Sequence, residues 1–269
     1  KGELGSVVTL TIFRPSERKK LTFELTRDNI TIKHVPYWGV DEDGIGYIRI
    51  SKFSKNTARD FSEALKDIKD LNMKGLVIDL RKNSGGLLSN AINILDKLTD
   101  RGVNLLNTRG RIKKANKSMN SRRSPSINPE IPIAVLINRS SASASEIVAG
   151  ALQDLDRAVV IGQKSFGKGL VQRIWKLNDT LSMKITTAKY YLPSGRLIQK
   201  QDYLDNGFLT DGLDKIDSLF YTKHGRKVTG GGGIIPDIIL EKDNFSPLIN
   251  ALWREKLFLS FASKYVAKN

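Results

Sequence analysis

The chain has 269 residues, no cysteine and only two histidines, His34 and His224, which excludes thiol chemistry, disulfides and histidine-rich zinc sites. A hydrophobic fraction of 40% in a chain this long suffices for a full core, and no stretch approaches the roughly 18 consecutive apolar residues of a membrane span. The net charge of +16 makes nucleic acid, acidic substrates or a membrane surface candidate partners.

Lys1 is not an initiator methionine, so a processed or partial chain is expected, and its start says nothing of location. Val7 to Ile12 and Leu21 to Leu25 alternate as strands around a turn at Pro15-Ser16-Glu17. Two strands alone are marginal, so this piece needs partners. From Gly39 the pattern becomes β-then-α. Gly46–Ile50 reads as a strand, Asn56–Leu71 as a helix with Phe61, Leu65 and Ile68 at helical spacing, and Gly75–Leu80 as a buried strand. Leu87–Leu98 reads as a helix, Gly102–Leu106 and Ile131–Ile137 as strands, Ser145–Leu155 as a helix and Ala158–Ile161 as a strand. Strands follow at Leu170–Leu177, Leu181–Tyr191 and Pro236–Leu240, then one amphipathic helix over Pro247–Val266. This alternation predicts an α/β core.

The densest basic run, Arg109 to Arg123, has no aromatic residue for stacking bases and ends in Pro125 and Pro129, so it reads as a solvated, mobile loop rather than a nucleic-acid site. The two histidines sit in Lys223-His-Gly-Arg226 and before Val35-Pro36, and are read as structural.

Chemistry concentrates where the strand Ile131–Ile137 runs into Asn138-Arg-Ser-Ser-Ala-Ser-Ala-Ser-Glu146. A serine there lies beside free backbone N–H groups at a helix N-terminus, which stabilise an oxyanion. Ser143-Ala-Ser-Glu146 is equally an S-x-x-E capping box, so Ser143 is either a helix cap or a nucleophile. Lys168 is the candidate base, set between Gly167 and Gly169, glycines that permit a special turn or a close approach by another segment. An extended 168–172 segment puts Lys168, Leu170 and Gln172 on one face, where the Gln172 amide can orient the amine. A lysine serves as a base near neutrality only if desolvation lowers its pKa. Gly162-Gln-Lys-Ser-Phe-Gly-Lys168 also fits most of a phosphate-binding loop, but Gly169 stands where Ser or Thr is required and a strand, not a helix, follows. Asp79-Leu-Arg-Lys-Asn-Ser-Gly-Gly86 offers either a second set of N–H donors or a plain strand-to-helix turn, and Gly230–Gly233 reads as a structural turn.

Together these segments, with Gly44–Ile50, Ala149-Gly-Ala-Leu-Gln-Asp154, Thr187–Arg196 and Gly230–Asp237, resemble the carboxy-terminal processing peptidases, in the expected order along most of the chain. The resemblance implies a core like that of crotonase and the Clp protease over residues 34–242, the end of a PDZ domain over 1–33 and a helical tail over 243–269. It implies Ser143 as nucleophile, Lys168 as general base and Gln172 as the residue that positions it. The oxyanion hole would use the N–H of Ala144 and that of Gly85 or Gly86, both left open. No cofactor or metal is implied. The expected partners are proteins or peptides with exposed apolar C-terminal tails, without nucleic acid, and with membrane-surface association and homo-oligomerisation both open. The expected location is the bacterial periplasm or cell envelope. The alternative is a catalytically silent module of the same fold that holds peptide tails.

Overall fold

The computed structural model describes residues 2–14, 17–30, 32–200, 218–241 and 246–268, in two compact units. Unit 2 runs from Lys33 to Glu241, and unit 1 comprises the two chain ends. In the latter, β1 (Val7–Arg14) and β2 (Lys19–Thr26) form an antiparallel hairpin with Val7 opposite Thr26 and Arg14 opposite Lys19. Pro15 and Ser16, read as its turn, lie outside the described residues.

The larger unit is built on a six-stranded sheet. Its strands are β3 (Tyr37–Val40), β4 (Ile45–Arg49), β5 (Gly75–Asp79), β8 (Ile133–Ile137), β9 (Val159–Gly162) and β14 (Ile238–Ile239), in the order β14-β9-β8-β5-β4-β3. All neighbours are parallel except β3 and β4. Three helices, α1 (Thr57–Asp70), α2 (Leu88–Leu98) and α3 (Ala144–Asp154), provide connections. Because the parallel strands progress in one direction across the sheet, right-handed crossovers put the helices on one face, and α2 packs against both α1 and α3. Phe61, Leu65 and Ile68 of α1 recur at three- and four-residue spacing and are buried on that account. Gly-Leu-Val-Ile-Asp of β5 is apolar enough to be covered on both sides, as a central parallel strand must be.

A second, antiparallel sheet has the order β10 (Leu170–Lys176), β11 (Ser182–Tyr191), β6 (Asn104–Arg109), β7 (Lys117–Asn120), and a short hairpin joins β12 (Leu219–Tyr221) to β13 (Lys227–Thr229). The basic run is therefore not the open loop its charge suggests. Within it Ala115 is buried, Thr108 Oγ1 donates to Ala115 O at 2.6 Å, and Lys117–Asn120 is a strand paired with β6. The closing helix is likewise two, α4 (Pro247–Arg254) and α5 (Leu257–Lys268). Lys256 takes a positive φ of 55° between them, a left-handed conformation that ends a right-handed helix.

Phe61 is fully buried in the main core. Phe61→Ala is expected to lower stability by about 3–5 kcal/mol in chemical denaturation, through lost burial and the cavity left behind.

Candidate active site

Two loops at the carboxyl ends of the adjacent parallel strands β5 and β8 build the site, the usual place for ligands in open α/β sheets. They are stitched together by Asn83, which is fully buried. Its Nδ2 donates to Ile50 O at 2.8 Å, its Oδ1 accepts from Gly85 N at 2.9 Å, and its carbonyl accepts Ala142 N at 3.0 Å and Ser145 Oγ at 2.9 Å. Gly85 and Gly86 have φ of 95° and 146°. A Cβ on Gly85 would lie 2.8 Å from Ser143 Cβ and 3.0 Å from Ala144 N, so glycine is what lets the first loop touch the second.

Ser143 is the N-cap of α3, with φ 56° and ψ −114°, and the capping box with Glu146 is formed. The serine thus occupies the cap position that its motif predicts, in a strained backbone conformation that costs a non-glycine residue about 1–3 kcal/mol. Tyr190, fully buried on β11, hydrogen-bonds the Ser143 side chain, and its hydroxyl donates to Lys168 O. Burial, with the Glu146 charge adding to it, pushes the Tyr190 hydroxyl well above the ordinary tyrosine value, so it stays protonated.

Glu146 joins these parts. It is fully buried, and its carboxylate accepts four hydrogen bonds: Ser143 N at 2.7 Å and Lys168 N at 2.9 Å on Oε2, Ser165 Oγ and Gly167 N, each at 2.6 Å, on Oε1. Burial raises its pKa above the ordinary carboxylate value, opposed by those four donors.

The glycines around Lys168 have the role inferred from the sequence. A Cβ on Gly169 would lie 2.9 Å from Gln199 N, and one on Gly167 would lie 3.0 Å from the backbone of Gly232. Gly169 N donates to Gln199 Oε1 at 2.8 Å and Lys200 N to Gly167 O at 3.0 Å. The Gly230–Gly233 turn therefore supports the Lys168 loop, with Ile234 N donating to Ser165 Oγ at 2.6 Å.

Ser143, Ala144, Gly85, Gly86, Lys168 and Gln172 all line one cavity of about 370 Å³, with Leu87, Leu88, Ile147 and Leu170 supplying apolar walls. Gly85 N is taken by Asn83, whereas Gly86 N and Ala144 N have no acceptor among the described residues. Lys168 is held below the ordinary lysine value by burial first and the Lys184 charge second, with Glu146 opposing. Among the described residues no hydrogen bond joins Lys168 Nζ to Ser143 Oγ or to Gln172. Val171 lines the cavity as well as Lys168, Leu170 and Gln172, and where β10 pairs with β11 at Val171 and Gln172 a β-bulge leaves Thr187 of β11 as the extra residue. The phosphate-loop reading is also excluded, because Leu170–Lys176 is a strand. His224 lies in an exposed turn with its N–H donating to Asp156 at 2.6 Å, far in role from a base. Sequence reasoning missed Tyr190 and Lys184, whose strand was legible but not the face it shows to the site.

The chain matches the family described as Peptidase family S41 over residues 44–208. It is 46% identical over 204 residues to the carboxy-terminal-processing protease of Bartonella bacilliformis, covering 74% of this chain and 46% of the relative. It is 34% identical to the carboxy-terminal processing protease CtpB of Bacillus subtilis over 206 residues, covering 75% and 42%. A solved photosystem II D1 C-terminal processing protease superposes with a TM-score of 0.59 at 27% identity, over 94% of this chain and 60% of that one. The chain spans about half the length of the curated relatives it matches.

Glu146→Ala is expected to cost about 3–5 kcal/mol in denaturant unfolding, because four buried donors lose their acceptor. Glu146→Gln, which keeps one carbonyl acceptor, should lose less.

Proposed function

Because the chain belongs to peptidase family S41, with a mixed α/β core of the Clp protease and crotonase type, we propose that it is a serine endopeptidase acting near C-termini through Ser143 and Lys168. The observation that carries this reading is a strained serine beside two unoccupied N–H groups, in the same cavity as a partly desolvated lysine.

Neutral Lys168 takes the Ser143 hydroxyl proton as Oγ attacks the peptide carbonyl carbon. The oxyanion is bound by Ala144 N–H and Gly86 N–H, the engagement of Gly85 N–H by Asn83 favouring its neighbour. The C–N bond breaks, the Lys168 ammonium returns its proton to the leaving amine, and water then cleaves the ester by the same steps. Gln172 orients the amine from its place beside the bulge. Closing the Lys168–Ser143 hydrogen bond is the step this mechanism adds to the geometry.

Protein or peptide substrates follow from the family. The apolar walls of the cavity support apolar side chains near the cleaved bond, and an apolar C-terminal tail is the proposed substrate. Residues 1–33 are read as the end of a PDZ domain, supported by a hairpin that exposes Val7, Ile12 and Phe13 and so has no core of its own. An envelope location and contact with an anionic membrane surface belong to the same reading, the latter supported by the +16 charge.

The test is cleavage of an unfolded protein by the full-length protein, with products mapped by mass spectrometry. Ser143→Ala and Lys168→Ala are each expected to reduce the rate about 1,000-fold or more with circular dichroism unchanged. Retained cleavage in both variants would remove the site assignment. The rate of the unmutated protein should rise with pH as Lys168 loses its proton, with a midpoint below the ordinary lysine value because its pKa is lowered. A rate flat through that range would count against a lysine base.

A further inference from the structure

Lys184 and Tyr190 both lie on β11, on either side of the β-bulge at Thr187, and both line the cavity that holds Ser143 and Lys168. The strand is fixed against the candidate base at two points, Tyr190 N donating to Gly169 O at 3.0 Å and the Tyr190 hydroxyl to Lys168 O. Lys184 has no hydrogen bond or ion pair among the described residues, so its ammonium charge is not neutralised locally.

The charged and titratable groups around Lys168 come from three other elements. Glu146 faces it from α3, Lys184 and Tyr190 from β11, and Lys52 from the loop after β4. Glu146 is the one carboxylate among them, and its charge is already divided among four donors. A lysine beside a buried carboxylate would ordinarily be an ammonium, unable to accept a proton.

We propose that Lys184 is a positioning residue for the reaction, a second cation set in the cavity so that Lys168 stays an amine. Lys184 takes no proton and touches no reacting atom. A second positive charge lining the same cavity disfavours the ammonium form of Lys168. The separation of charges is consistent with the lowered proton affinity of Lys168, for which Lys184 is the second cause after burial. This inference rests on the reading of Lys168 as the base.

The experiment compares Lys184→Met, Lys184→Arg and the unmutated full-length protein over the pH range of activity. Lys184→Met should move the midpoint of kcat/KM upward by about 0.5–1 pH unit, a loss of about 3–10-fold near pH 7 that vanishes at high pH. Lys184→Arg keeps the charge and should keep the profile. A loss in Lys184→Met that is equal at every pH, or a profile that superposes on the parent while the Lys168 titration is also unmoved, overturns the proposal. A second measurement needs no activity: NMR titration of the lysine side-chain carbons in Ser143→Ala, with and without Lys184→Met, the Lys168 signal assigned by its absence in Lys168→Ala. An unmoved Lys168 titration overturns the role of Lys184. A moved titration with an unmoved rate profile leaves Lys184 as proposed and overturns Lys168 as the base.

Discussion

The site depends on one buried carboxylate. Glu146 is wholly enclosed, yet each of its oxygens accepts two hydrogen bonds, so the large cost of burying a charge is offset by donors already in place. Its position on the first turn of α3 adds the favourable field of the helix N-terminus. Through it the backbone of Ser143 and the backbone of Lys168 share a single oxygen, Oε2. Two segments separated by more than twenty residues are thereby held by one side chain, which adds to the single direct backbone bond given for them, Phe166 N to Ser141 O at 3.0 Å.

Such a junction requires backbone to approach backbone. Where Gly85 meets Ala142–Ala144, and where Gly169 meets Gln199, a methyl group would sit under 3.0 Å from its neighbours. Glycine at these points is thus a condition of the site, and Asn83 then locks the first approach by using both its amide ends. The same rigidity sustains the positive φ of Ser143, which a flexible turn would relax. Strain of this kind survives only where surrounding bonds over-determine the conformation, and here the Ser143 N–H bond to Glu146 is one of them.

Much of this could be read from the chain. The S-x-x-E pattern gave two rival meanings to Ser143, and the fold makes them compatible: the cap position sets the serine in the cavity next to Ala144, whose N–H has no acceptor among the described residues. The glycines around Lys168 announced a close approach without naming what approaches. Other features were hidden because they depend on contacts distant in sequence. Lys184 and Tyr190 belong to a strand evident from its β-branched and aromatic residues, but the residues it turns to the cavity are set by its pairing with β10 and by its own bulge at Thr187, which shifts the register opposite Gln172. The β7 strand was masked by its charge, since Lys117 and Asn120 at its ends are exposed and the pairing with β6 is carried by backbone. The break at Glu255–Lys256 lacks glycine or proline, so hydropathy alone ran one helix through it.

The carboxylate that assembles the site also opposes the chemistry proposed for it. Its negative charge favours the ammonium form of Lys168 and disfavours an oxyanion at the same helix end. Three features counter this without removing the carboxylate. Four hydrogen bonds spread its charge away from the cavity, desolvation penalises the Lys168 ammonium directly, and the cation on β11 restores a positive field where both the amine and the oxyanion need it. Structure thus demands an anion at Glu146, the proposed catalysis demands a neutral side chain on the residue whose backbone N–H that anion holds, and the basic lining of the cavity is the means by which one fold meets both demands.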